Sequence, residues 1–202
     1  MLQSPPTIRL PRLDELPNNP EVFERLKVRE HAKIVEGFIL KNNTTHDLPF
    51  KFYAEVNINN SRLWNLFIEL SNQLPKKVNC IFNTYNDEPI YSPYLEKANV
   101  LQILSSYELE LTQDCNLEIG IMFESEEKLI EVFISDSKYI KYWGSNENEF
   151  RQAMISFELN EVPDMNFIDE FPKVVEPLTL LNSSAKETQT VIDELTEKFH
   201  LK

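Results

Sequence analysis

The sequence predicts an α+β fold, with helices packed on a mixed β-sheet that contains one long antiparallel hairpin. Three observations point there. Apolar residues recur with period two in some stretches and with helical spacing in others, in the order strand, helix, strand, helix, hairpin, helix. Residues 117–134 hold two apolar runs separated by Ser125-Glu126-Glu127-Lys128, a break too polar to continue a strand. Helix-start signals stand at Asn19-Pro20, Ser92-Pro93 and Asn146 with Glu149.

Pro5, Pro6, Pro11, Pro17 and Pro20 exclude a continuous helix or central strand from residues 1–19, which read as an arm. Asn19 then caps a short helix with Pro20 at its first position and Val22, Phe23 and Leu26 facing inward. Residues 28–40 suit either a helix or a strand, and Gly37 weakens both. Residues 50–58 alternate as a strand. Leu63, Leu66, Phe67, Leu70 and Leu74 form the stripe of a helix that Pro75 closes.

Residues 77–85 are a second strand, with Val78, Cys80 and Phe82 on one face and Ile81 on the other. Ser92 as cap, Pro93 at the first position and Glu96 in the first turn predict a helix through Leu95, Ala98, Leu101 and Leu104. Residues 107–111 either finish it or form a strand. Leu117, Ile119, Ile121 and Phe123 alternate with Glu118, Gly120, Met122 and Glu124, and residues 129–134 complete the hairpin. After the interruption at 135–137, residues 138–143 extend the second strand past a bulge or start a new one.

The box of Asn146 and Glu149 opens a helix with Phe150, Ala153, Met154 and Phe157 on one face. Ser184 and Glu187 form a second box, followed by the stripe Val191, Ile192, Leu195 and Phe199. The expected organisation is a proline-rich arm at 1–19, a single α+β domain at 20–178, and a polar joint with an amphipathic helix at 179–202. That last helix either packs on its own domain or docks on a partner or a second copy, so a homo-oligomer through it is one expectation.

The chain is long enough to bury a core without disulfides, and its apolar share of 42% fits a globular protein. No basic segment followed by an apolar core opens it and no apolar run reaches membrane-spanning length, so a cytoplasmic protein is expected. Cys80 and Cys115 read as two reduced, partly buried thiols.

The three glycines do not cluster, so neither familiar phosphate-cradling loop is present. The three histidines stand far apart and no CxxC occurs, so no metal or organic cofactor is expected. Carboxylates are the abundant reactive groups. Asp164, Asp169 and Glu170, or Asp114 with Glu118, are the candidate pairs for an alternative reading, a carboxylate-dependent enzyme of hydrolase type.

Charge is unevenly placed. Residues 101–170 carry 16 acidic residues against Lys128, Lys138, Lys141 and Arg151, while residues 1–100 balance to zero, so this region holds nearly all of the net −13. Such a field repels nucleic acid and anionic membranes and speeds encounter with a basic protein. The aromatics Tyr139, Tyr142 and Trp143 lie inside it, and such residues commonly anchor interfaces.

Residues 133–144, the capped helix after them, and the run Phe167-Ile168-Asp169-Glu170-Phe171-Pro172 resemble the small acidic α+β immunity proteins that accompany bacterial polymorphic toxins. The likeness implies a non-catalytic inhibitor that blocks one toxin domain by surface complementarity. The expected partner-binding set is Glu126, Glu127, Tyr139, Tyr142, Trp143, Glu147, Glu149, Asp164, Asp169 and Glu170.

Overall fold

The computed structural model describes residues 2–45 and 47–201; Met1, His46 and Lys202 lie outside them, and with Met1 and Lys202 the outer bounds expected for the arm and the last segment. In chain order the elements are β1 (Ile8–Arg9), α1 (Pro20–Arg29), β2 (Gly37–Asn42), β3 (Phe52–Asn57), α2 (Asn60–Ser71), β4 (Lys77–Thr84), β5 (Ile90–Tyr91), β6 (Leu95–Glu96), α3 (Lys97–Ser105) and α4 (Glu108–Gln113). They continue with β7 (Leu117–Glu124), β8 (Leu129–Ile134), β9 (Ile140–Gly144), α5 (Glu147–Ser156), β10 (Val174–Val175), α6 (Leu178–Leu181) and α7 (Thr188–Lys198).

The fold is α+β, with helices packed on a large sheet of order β2-β3-β9-β8-β7-β4-β5, and β6 paired to β4. The expected mixed sheet is corrected to an antiparallel one: every ladder in it is antiparallel. Short turns join β7 to β8 and β8 to β9, and such turns connect only antiparallel neighbours. A single parallel bridge, Phe38 to Glu161, lies at the β2 edge.

Alternation sorts the side chains. Phe52, Ala54, Val56, Val78, Cys80, Phe82, Ile119, Ile121, Val132, Ile134, Ile140 and Tyr142 all enter one core cluster. The α2 stripe of Leu63, Leu66, Phe67 and Leu70 is fully buried in it. At roughly 25 cal/mol per Å² of apolar area removed from water, this layer is the main source of stability.

The ambiguous stretch 28–40 resolves because α1 ends at Arg29 and a strand starts at Gly37. Gly37 has φ +151°, and a Cβ there would stand 2.8 Å from the Asn160 carbonyl, so the residue admits the close pass of residues 160–162. In α1 the expected inward face is only partly covered: Val22 and Leu26 are half-buried, while Phe23 is exposed. Residues 135–139 form a turn, with Lys138 at φ 60°, and β9 is a new strand.

Two expected helix starts are displaced. Ser92 does not cap: its hydroxyl accepts from the Cys80 N–H at 2.8 Å and donates to the Pro93 carbonyl. Residues 95–96 pair with β4 instead, and α3 begins at Lys97. Ser184 likewise donates to Asn182 Oδ1 at 2.7 Å. The start of α7 is held by remote carboxylates, Glu110 accepting from the Lys186 N–H at 2.9 Å and Asp114 from the Thr188 hydroxyl at 2.6 Å. A local cap yields where a tertiary partner satisfies the same groups.

The α7 stripe is spent inside the chain, because Val191, Ile192, Leu195 and Phe199 join the main core. The expected apolar face for a second copy is therefore already covered. The proline-rich arm is tied down as β1 pairs with β10, and Arg9 bridges Glu15 and Glu176, each at 2.6 Å. Beneath it lie the buried Thr7, Cys115 and Ile8. No helix among the described residues is long and apolar enough to cross a membrane.

Candidate functional site: the open sheet face

Because the helices take one side of the sheet, the residues of opposite parity form a second face. Register places Lys41, Tyr53, Trp143, Glu131 and Met122 in one row, and Ile39, Glu55, Lys141, Phe133 and Gly120 in the next. Tyr53, Glu55, Glu131, Phe133, Lys141 and Trp143 are each half-buried. A Cβ at Gly120 would lie 2.7 Å from Phe133 Cδ2, so the Phe133 ring rests over that bare backbone.

Two consecutive residues of β9 part company here. Trp143 points to the open face, with its ring 4.8 Å from that of Tyr53. Tyr142 points into the core, packed on Phe52 and Phe150, and its hydroxyl donates to Gln73 Oε1 at 2.7 Å. Its place in the expected binding set is corrected, since the strand's period of two assigns the neighbours to opposite faces.

Residues 160–172 cover one end of the face. Tyr139 packs on Phe167 at 4.6 Å between centroids, Met165 joins them, and the Tyr139 hydroxyl donates to Asp169 Oδ2 at 3.0 Å. Beside them an open cavity of about 370 Å³ is lined by Ile39, Lys41, Glu55, Tyr139, Asp169 and Glu170. Burial, followed by the charges of Asp169 and Glu55, raises the Tyr139 phenol above its ordinary range. Burial, then Glu55, Asp169 and Glu131, does the same to Tyr53.

The chain missed by sequence reading is Glu131. It stands directly opposite Trp143 on one side and Met122 on the other. Burial first, and the Glu124 carboxylate second, push its carboxyl up to about 7. No spacing motif marks a carboxylate whose significance lies in its cross-strand neighbours.

The remaining expected residues are dispersed. Glu126 and Glu127 sit in the exposed β7–β8 turn, and Glu127 with Asn146 lines an open cavity at that end of the sheet. Glu147 pairs with Arg151 at 2.7 Å, and Arg151 also reaches Glu161. The exposed Glu149 donates its backbone N–H to the Asn146 cap. Asp164 is exposed at φ 55°.

Hydrogen bonding gives the candidate catalytic carboxylates structural employment. Glu170 accepts from the Phe167 N–H at 2.6 Å and from Asn166 Nδ2 at 2.8 Å, closing its own short turn. Asp114 accepts from the Asn116 N–H at 2.9 Å and the Thr188 hydroxyl. Glu118 accepts from Asn83 Nδ2 at 2.8 Å. Among the described residues there is no group of three or more His, Cys, Asp or Glu side chains placed to hold a metal.

Comparison with known proteins finds no matching family model, no similar curated protein and no similar solved structure.

Proposed function

We propose that the chain is a non-catalytic, cytoplasmic binding protein that neutralises a basic protein through its open sheet face, in the manner of the immunity proteins it resembles in part. The observation that carries this reading is an aromatic pair, Trp143 on Tyr53, set among the carboxylates of Glu55, Glu131 and Asp169 on a face that the helices leave uncovered. Aromatics supply contact area at low entropic cost, and surrounding carboxylates favour a partner of opposite charge. The exposed Glu126, Glu127, Glu149 and Asp164 add to the long-range field.

The test is a kinetic binding series with a basic protein co-purified from the native host, across low and high salt. Association should slow steeply as salt rises while dissociation changes little, because screening at physiological ionic strength acts over about 8 Å. The double variant E126K/E127K should lower the association rate. Equal rates for wild type and this variant at every salt concentration would overturn the reading.

A further inference from the structure

We infer that Trp143, Tyr53 and Glu131 form a receptor for one arginine side chain of the basic partner; the inference rests on the binding reading above and names the chemistry of its contact. The argument begins with an imbalance. Five carboxylates, Glu55, Glu124, Glu131, Asp169 and Glu170, line or flank this face against the ammonium groups of Lys41 and Lys141, with Lys51 and Lys128 at the rim by the β7–β8 turn. Lys141 stands opposite Glu55 and holds its ammonium 5.5 Å over the Tyr139 ring, and the hydrogen bonds and ion pairs among the described residues leave Glu131 without a donor.

Glu131 is thus a carboxylate set in a row of Tyr53, Trp143 and Met122, where its charge is costly until a cation arrives. A guanidinium fits this arrangement better than an ammonium. It is planar, stacks on indole and phenol faces, and presents paired N–H donors to a carboxylate. The groups facing Glu131 are Glu124 and Met122 from β7, Trp143 and Lys141 from β9, Tyr53 and Glu55 from β3, and Leu129 and Phe133 on its own strand. Of these, Glu124 favours the protonated carboxyl, and an incoming guanidinium favours the ionised one.

The experiment titrates the whole protein with fluorescently labelled hexa-arginine, using hexa-citrulline as the neutral isostere and hexa-lysine as the alternative cation. Hexa-arginine should bind, with affinity rising as pH climbs through about 7 while Glu131 ionises. E131Q, which removes a charge from a half-buried site and should fold, is expected to weaken binding about tenfold and to flatten that pH step. W143F should also weaken binding, and hexa-citrulline should not bind. If E131Q and W143F bind as wild type while E126K/E127K still slows association, the receptor falls and the acidic-face reading survives. If hexa-arginine does not bind, the receptor falls, and the acidic-face reading is then decided by E126K/E127K alone: it survives if that variant slows association with the basic protein and falls if it does not. Hexa-lysine binding as tightly as hexa-arginine overturns the guanidinium assignment.

Discussion

The Phe199 ring packs 5.8 Å from that of Phe82, joining α7 to the centre of the sheet. Val191, Ile192, Leu195 and Phe199 therefore tie α7 into the main core, and truncation after Asn182 should abolish cooperative unfolding monitored by circular dichroism. Phe199→Ala, which empties a fully buried site, should cost about 3–5 kcal/mol in chemical denaturation.

Tyr142 and Trp143 should separate stability from binding. Tyr142→Ala removes a buried ring among Phe52 and Phe150 and should lower stability by about 3–5 kcal/mol. Trp143→Phe keeps an aromatic on the half-buried face and should shift the unfolding midpoint far less. Guanidinium unfolding curves of the two variants check the ordering.

Glu131 should leave a mark on stability against pH. Its folded carboxyl is raised to about 7 from an ordinary 4.5, so the folded state binds the proton more tightly than the unfolded chain. Stability from this group is full below pH 4.5, declines as pH rises through the interval, and is lost above about 7. E131Q should remove that decline and raise stability at pH 8 by an amount on the order of 1–2 kcal/mol, discounted for partial exposure. Thermal unfolding of both proteins from pH 4 to 8 measures it.

Ser92→Ala tests the role that replaced helix capping. The variant strips the acceptor from the Cys80 N–H in a buried strand and should destabilise by about 1–3 kcal/mol. Helical content, read by far-ultraviolet circular dichroism under native conditions, should stay as in wild type, because α3 starts at Lys97 without using that hydroxyl.

The elements legible in the sequence were those whose signal is internal to them. The alternation of Leu117, Ile119 and Ile121 and the stripe of Leu63, Leu66 and Leu70 state their own buried face, and the Asn19 and Asn146 caps form as read. Ser92 and Ser184 carry the same cap chemistry but meet other partners, the Cys80 amide and the Asn182 side chain. Which partner wins depends on strand pairing and helix docking, and local spacing does not encode either. The site was legible for Trp143 and Asp169. It was not for Tyr53 and Glu131, which gain their meaning only when β3, β9 and β8 lie side by side.

The two buried thiols offer an independent check. Burial raises both Cys80 and Cys115 above the ordinary thiol range, so both should react with a thiol reagent at pH 8 far more slowly in the native protein than after denaturation. Mass spectrometry of the labelled protein counts them.

The pairing of β1 with β10 gives the molecule two depths of opening. It joins Ile8 to Val175 and Arg9 to Val174, and the Arg9–Glu176 contact spans 167 positions of sequence. So small a ladder, rimmed by half-exposed ion pairs, should unlatch at a fraction of the free energy that separates the central strands. Its release would lift Thr7 and Ile8 from the site where Thr7 meets Cys115 Sγ at 3.1 Å. Cys80, between β5 and β7 on β4, stays sealed until the sheet itself parts. The two sulfurs should therefore keep different times under slow labelling, Cys115 at the rate of the clasp and Cys80 at the rate of global unfolding.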